Sequence, residues 1–264
     1  QKPEPKPEEP EQTVTASEET IVTLFNGSAV PQVMDSASCC IIEDSGKLIV
    51  IDAGWDVKET QEGITQFLRK KGYSKIDYLI LTHAHSDHIS ALPVLSKYTD
   101  ARLVCSEDTY DQLPFAKGEP LLFAEGDSFE LNDVAVQTAP TPHDCDGSCC
   151  YLFGEDENSL GFCTDMGRVT ERIYGLMKKA STLFIESNHD VDMLANGPYP
   201  YYLKKRILSF DGHLSNADCA YSVSRLVEDG VRRVMLGHLS ETNNRPDIAL
   251  SESKKALEQI GADA

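Results

Sequence analysis

The residues in this chain best suited to chemistry are its histidines. There are seven in 264 residues, and each falls inside a short polar motif. Three lie in Thr82-His83-Ala84-His85-Ser86-Asp87-His88, directly after the apolar run Tyr78-Leu79-Ile80-Leu81. The others are His143 in Thr141-Pro142-His143-Asp144, His189 in Glu186-Ser187-Asn188-His189-Asp190, His213 in Asp211-Gly212-His213-Leu214-Ser215-Asn216, and His238 in Leu236-Gly237-His238-Leu239-Ser240. Neutral imidazole and carboxylate are good donors for borderline divalent cations such as Zn²⁺ and Mn²⁺. From an extended turn, the alternating His83 and His85 can serve one ion while the adjacent Asp87 and His88 serve a second. A chance His-rich solvated turn would not account for the histidines in the later motifs.

Donors need rigid supports, and the flanking sequence supplies them. Leu79-Ile80-Leu81 precedes His83, Leu160-Gly161-Phe162-Cys163 precedes Asp165, Leu183-Phe184-Ile185 precedes Glu186, and Val234-Met235-Leu236 precedes His238. Asp52 likewise follows Leu48-Ile49-Val50-Ile51. Each is an apolar run of strand length ending in a polar residue. A constellation built where strands hand over to loops is held precisely. Helices are expected over 60–71, 170–179 and 216–228, the last with Asn216 as N-cap and with Ala220, Val223 and Val227 on one face.

The His-x-His-x-Asp-His loop, with the later motifs in this order, resembles the metallo-β-lactamase superfamily. The resemblance implies an α/β fold, the αβ/βα four-layer sandwich, with metals at one edge between two mixed sheets. It implies His143 as the third ligand of the first metal, beside His83 and His85. Asp165 is then the carboxylate bridging both metals, and His238 is the last ligand of the second, beside Asp87 and His88. Asp52 is expected to support the ligand loop by hydrogen bonding. The distal half is more specific. Glu186-Ser187-Asn188-His189-Asp190, Asn196-Gly197-Pro198-Tyr199-Pro200-Tyr201, Gly212-His213-Leu214-Ser215-Asn216 and Gly237-His238-Leu239-Ser240-Glu241-Thr242-Asn243-Asn244 together resemble the YycJ/WalJ family, bacterial proteins regarded as DNA exonucleases. That resemblance spans roughly residues 38–262 and implies a further short strand beyond Gly261-Ala262-Asp263-Ala264.

Length and composition fit one such domain. With 41% hydrophobic residues the chain can bury a full core. No run approaches the roughly 18 apolar residues that a membrane span needs. Residues 1–20 are rich in Pro and Glu and read as a solvated tether, with the hydrolase domain over 21–264. Among eight cysteines, the vicinal pairs Cys39-Cys40 and Cys149-Cys150 make a poor disulfide framework. Free thiols point to a reducing, cytoplasmic setting; the tether leaves a secreted or surface-tethered form as the alternative. Cys163 is read as a packing residue.

The net charge of −19 argues against broad electrostatic binding of nucleic acid. The charge is uneven: residues 1–150 carry 11 basic and 26 acidic side chains, whereas 151–264 carry 13 and 17. Tyr201-Tyr202-Leu203-Lys204-Lys205-Arg206 sets three cations beside aromatics, a pattern able to grip a few phosphates and stack a terminal base. The bland reading of the same residues is a solvated helix end. His189 is expected either to touch a phosphate or to make a structural hydrogen bond. No protein partner can be inferred.

Two divalent ions would draw a strong nucleophile from water near neutral pH and neutralise charge on a phosphodiester. Asp87 is expected to bind the second ion and orient the attacking water. A sugar alkoxide is a poor leaving group and needs a proton. His213, with Glu186 orienting it, is similar to the pairing that supplies that proton in tRNA nucleases of the same superfamily. The sequence therefore favours a two-metal phosphodiesterase acting on DNA. The alternatives are a hydrolase of a small phosphodiester or cyclic nucleotide, and an acyl hydrolase acting on a lactone, thioester or β-lactam.

Overall fold

The computed structural model describes residues 48–54, 72, 74–96, 99–114, 118–155 and 157–262 in full, and the backbone alone at 14–16, 20–24, 40–44, 47, 97, 98 and 156. Two mixed sheets dominate. The first takes its strands in the order β1 (Val14–Ala16), β2 (Thr20–Leu24), β3 (Cys40–Asp44), β4 (Lys47–Ile51), β5 (Tyr78–Ile80), β6 (Arg102–Ser106) and β7 (Leu121–Phe123). Its first four strands pair antiparallel and β4 to β7 run parallel. The second sheet has the reverse arrangement, in the order β13 (Arg233–Gly237), β12 (Thr182–Glu186), β11 (Leu160–Cys163), β10 (Cys149–Phe153), β9 (Val134–Pro140) and β8 (Ser128–Leu131). There β11 to β13 are parallel and β8 to β11 antiparallel.

The alternation of side chains along each strand builds four layers. Ile49, Ile51, Ile80 and Val104 of the first sheet meet Tyr151, Phe153, Phe162 and Phe184 of the second in a core between the sheets. Their neighbours point the other way. Leu48, Val50, Leu79 and Leu103 pack under Ile89, Leu92 and Leu95. These come from α1 (Ser86–Ile89) and α2 (Leu92–Tyr98), which precede α3 (Glu107–Asp111). Leu152, Cys163, Leu183 and Ile185 pack under α4 (Glu171–Met177) and, beyond α5 (Val191–Asn196) and α6 (Tyr201–Ile207), under α7 (Asn216–Glu228). Helix α8 (Pro246–Gln259) closes the described chain. Cys163 is fully buried with Sγ 3.3 Å from Met166 Sδ, a packing role. The buried Tyr151 hydroxyl crosses between sheets to donate to Leu81 O at 2.5 Å.

Two local readings shift. Helix α7 covers the expected 216–228, but its N-cap is Ser215, whose side chain accepts from Asp218 N. Asn216 turns inward instead, accepting from Ser187 Oγ at 2.7 Å and donating to Asn244 Oδ1 at 2.8 Å. Of residues 1–20, positions 14–16 and 20 belong to the β1–β2 pair, where Val14, Thr15, Ile21 and Val22 supply β-branched residues. The rest of that stretch, and the helix expected over 60–71, lie outside the described residues. No described helix is long and apolar enough to cross a membrane.

Candidate metal centre

The parallel halves of both sheets end at one edge. Ile51 pairs with Ile80 in the first sheet, and in the second Cys163 pairs with Ile185 and Glu186 with Gly237. Polar residues that continue these strands therefore emerge together. Three of them, Asp52, Asp165 and His238, have positive φ values of 58°, 55° and 53°. This left-handed conformation costs a non-glycine residue about 1–2 kcal/mol and turns each chain sharply at its strand end. The His83–His88 loop rests on the exit of β4, where a Cβ on Gly54 would lie 1.2 Å from Asp87 O. Only glycine lets the two backbones approach so closely.

Two groups of donors converge. In one, His83 Nε2 and His143 Nε2 each lie 3.1 Å from His85 Nδ1. Ligands sharing one tetrahedral ion at Zn–N distances of about 2.0–2.1 Å sit roughly 3.3 Å apart, so the spacing suits a single cation. In the other, His88 Nε2 lies 3.3 Å from Asp165 Oδ2 and 3.7 Å from Asp87 Oδ2, and His238 Nε2 lies 3.6 Å from Asp165 Oδ1. Asp165 Oδ1 is also 3.7 Å from His143 Nε2, which puts this carboxylate between the groups. His88 Nε2, His238 Nε2 and Asp165 Oδ2 are buried with no hydrogen-bond partner among the described residues. Each orphaned atom would cost about 1–3 kcal/mol, and a cation among them removes the cost. By this test the residues fit a divalent-metal centre.

Charge points the same way. Burial would lower the His88 pKa, but Asp165 and Asp52 outweigh it and raise it to about 9. His238 is raised against burial by Asp165 and Glu186 to about 10. The carboxylates thus draw positive charge to these imidazoles, as protons or as metal. Burial would likewise raise Asp165, yet His238, His88, His83 and His143 hold it well below its ordinary value. His83 is pushed well down by burial and by His88, which suits a neutral donor.

The supports are specific. Asp52 accepts from Thr82 N and Thr82 Oγ1, both at 2.8 Å, and lies 2.9 Å from His88 Nδ1, which ties the start of the His83–His88 loop to the end of β4. Thr82 Oγ1 is also 3.0 Å from His83 Nδ1, and His143 Nδ1 is 3.2 Å from Gly212 O. Glu186, fully buried at the end of β12, does more than expected. Its Oε1 lies 2.7 Å from Nδ1 of both His213 and His238, and its Oε2 accepts from Met166 N and Leu214 N at 3.2 and 3.1 Å. An ionised carboxylate only accepts, so both imidazoles carry Nδ1–H and leave Nε2 to the cavity. Asp165, Glu186, His213 and His238 could also be grouped as donors. The 2.7 Å contacts are hydrogen-bond lengths, however, so Glu186 is a support.

A cavity of about 210 Å³ opens beside these groups, lined by Asp87, Asp165, His213 and His238 and walled by Tyr199, Leu203 and Arg206. The cationic run on α6 divides. Arg206 faces the cavity, whereas Lys204 Nζ donates to Ala195 O and Gly197 O, both at 2.8 Å, closing the end of α5. Lys205 is exposed away from the cavity. His189 is corrected as a phosphate contact: it is 1% exposed and lines no part of the cavity, and burial lowers its pKa to about 4. The alternative structural hydrogen bond is not seen either: both ring nitrogens are buried without a hydrogen-bond partner among the described residues, and only the backbone bridges to Ser215. The sequence reading missed Asp144, whose carboxylate pairs with Arg206 from beside His143. Its place next to a donor in Thr-Pro-His-Asp was the available signal.

Comparison with known proteins agrees with this geometry. The model of the β-lactamase superfamily domain matches residues 47–239. The chain is 32% identical over 220 residues to exodeoxyribonuclease YycJ of Bacillus anthracis, covering 81% of this chain and 83% of that protein. It is 32% identical over 221 residues to exodeoxyribonuclease WalJ of Streptococcus pneumoniae, covering 81% of each. The crystal structure of the metallo-β-lactamase fold protein YhfI from Bacillus subtilis superposes with a TM-score of 0.65 at 14% identity, covering 90% of this chain and 93% of that one. That likeness speaks for the fold alone.

Proposed function

This chain belongs to the β-lactamase superfamily and, within it, to the family of the YycJ/WalJ exodeoxyribonucleases, and on that premise we propose that it is a two-metal phosphodiesterase that degrades DNA from an end. His83, His85 and His143 would hold one divalent ion, Asp87, His88 and His238 a second, and Asp165 both; Zn²⁺ and Mn²⁺ each suit the donor set. When bound, the ions supply a water-derived nucleophile near neutral pH and stabilise charge on the phosphate. Asp87, on the cavity wall, accepts a hydrogen bond from the attacking water and orients it. Arg206 contacts the phosphate oxygens. His213 donates a proton from Nε2 to the departing sugar oxygen.

The observation that carries this reading is the pairing of His213 with Glu186. His213 faces the cavity with 18% of its side chain exposed, and its Nδ1 is held 2.7 Å from a fully buried carboxylate. Burial would lower its pKa, but Glu186 raises it above the ordinary histidine value, the direction that favours the protonated imidazole an acid requires. A dedicated acid matters in proportion to how badly the leaving group needs its proton. His213→Ala should therefore slow degradation of end-labelled DNA by roughly 10²–10⁴. It should cost far less on bis(p-nitrophenyl) phosphate, whose leaving group departs unaided. Equal slowing on both would defeat the proposal.

A second reading is favoured by the net charge of −19 and the small cavity: hydrolysis of a small phosphodiester or cyclic nucleotide. A panel of single- and double-stranded DNA, RNA, a cyclic nucleotide, a lactone and a β-lactam separates the readings. Preference for a cyclic nucleotide over every DNA would establish the second.

A further inference from the structure

Arg206 is the sole lysine or arginine among the described residues lining the metal cavity. Its fork is already occupied by a carboxylate. The Asp144 carboxylate accepts from Arg206 Nε through Oδ2 and from Nη2 through Oδ1, the latter at 2.8 Å. Asp144 Oδ1 also lies 3.6 Å from His85 Nε2 and 3.7 Å from His143 Nε2. This one carboxylate thus stands between the cavity's guanidinium and the first group of metal donors.

A carboxylate and a phosphate offer a guanidinium the same edge of two oxygens, and either satisfies it bidentately. What differs is permanence. Arg206 is 48% and Asp144 36% exposed, so water reaches both and the pair is only weakly held. A buried pair would be locked; this one can exchange partners.

We infer that Asp144 is a resident stand-in for the substrate phosphate. It occupies Arg206 in the free protein and yields to phosphate oxygens that reach the metal donors and the guanidinium together. The ligand class is a phosphate monoester or diester, and the substrate's identity rests on the phosphodiesterase reading above. Such an exchange weakens every phosphate ligand by the strength of the pair it displaces. Free phosphate and released nucleotides, which make few other contacts, are then held loosely.

Isothermal titration of inorganic phosphate into the metal-loaded full chain tests this without any cleavage assay. Asp144→Asn keeps the shape and removes the competing charge, and should tighten phosphate binding about two- to fivefold. Arg206→Lys keeps charge but loses the fork, and should weaken binding by a similar factor. With Arg206→Gln in the background, Asp144→Asn should no longer change the affinity, because the pair it relieves is gone. Unchanged or weaker binding in Asp144→Asn overturns the inference, as does tightening that persists without Arg206, which would be a general charge effect. Loss of metal from Asp144→Asn overturns it too, by making Asp144 a ligand. A protein that binds phosphate as described and degrades no DNA would refute the exonuclease reading and leave this exchange standing.

Discussion

The two donor groups are built differently. His83, His85 and His143 come from loops; His83 and His143 are backed by neutral oxygens, Thr82 Oγ1 and Gly212 O, and His85 has the partly exposed Asp144 carboxylate 3.6 Å from its Nε2. His88 and His238 are each backed by a buried carboxylate, Asp52 and Glu186, that lies at or just beyond the end of a strand. A carboxylate behind an imidazole fixes its tautomer and makes it a more basic donor. The unpartnered buried ligand atoms also lie in the second group. The sheets therefore invest rigidity and charge in one half of the centre and leave the other half to local chain geometry.

The strongest test of this asymmetry disturbs the surface on which both groups rest. Gly54→Ala drives a Cβ into the backbone of Asp87. Overpacking of this kind costs about 1–3 kcal/mol, and a shift of the ligand turn of about 1 Å is enough to cost roughly 10²-fold in activity. Urea denaturation and metal analysis on one preparation would check both; native activity with full metal content would show that the turn is not held there.

Next in size is a change aimed at one half only. Glu186→Gln should weaken the second metal about 10- to 100-fold while the first stays bound, as competition with a graded chelator would show. Glu186→Gln should also slow DNA degradation through His213. From sequence Glu186 served His213 alone. The shared Oε1 revises that expectation, since His238 hangs on the same atom. Equal weakening of both metals would erase the distinction between the halves.

The smallest expected effect lies outside both groups. Ser215→Ala removes the cap of α7 and should cost about 1 kcal/mol of stability with metal affinity unchanged. A metal effect there would mean that α7 positions the donors through His213.

Most of the candidate donors were legible because chemistry and placement coincide in sequence: the His83–His88 loop, Asp165 and His238 follow apolar runs, and parallel strands bring such ends to one edge; His143 follows an antiparallel strand and was placed by its motif. What followed from contacts distant in the chain was not legible. Lys204 and Arg206 are two residues apart on one short helix, yet one closes α5 and the other meets Asp144 across 62 positions. A run of cations cannot say which of its members faces a cavity. His189 sits in the same motif as Glu186 but turns into the protein, because nothing in a loop's composition fixes which polar residue is buried. Ser215 and Asn216 are both good caps; the partners of Asn216, Ser187 and Asn244, decided between them.

Asp52, Asp165 and His238 all hold a backbone that residues with side chains adopt at a loss. If each forfeits about 1–2 kcal/mol, the three together withhold a sizeable part of the roughly 5–15 kcal/mol that keeps an ordinary domain folded. Selection for robustness alone would replace them with glycine, and selection for chemistry alone forbids it. In lineages that keep the fold and lose the activity, glycine at these strand ends would mark where function was given up.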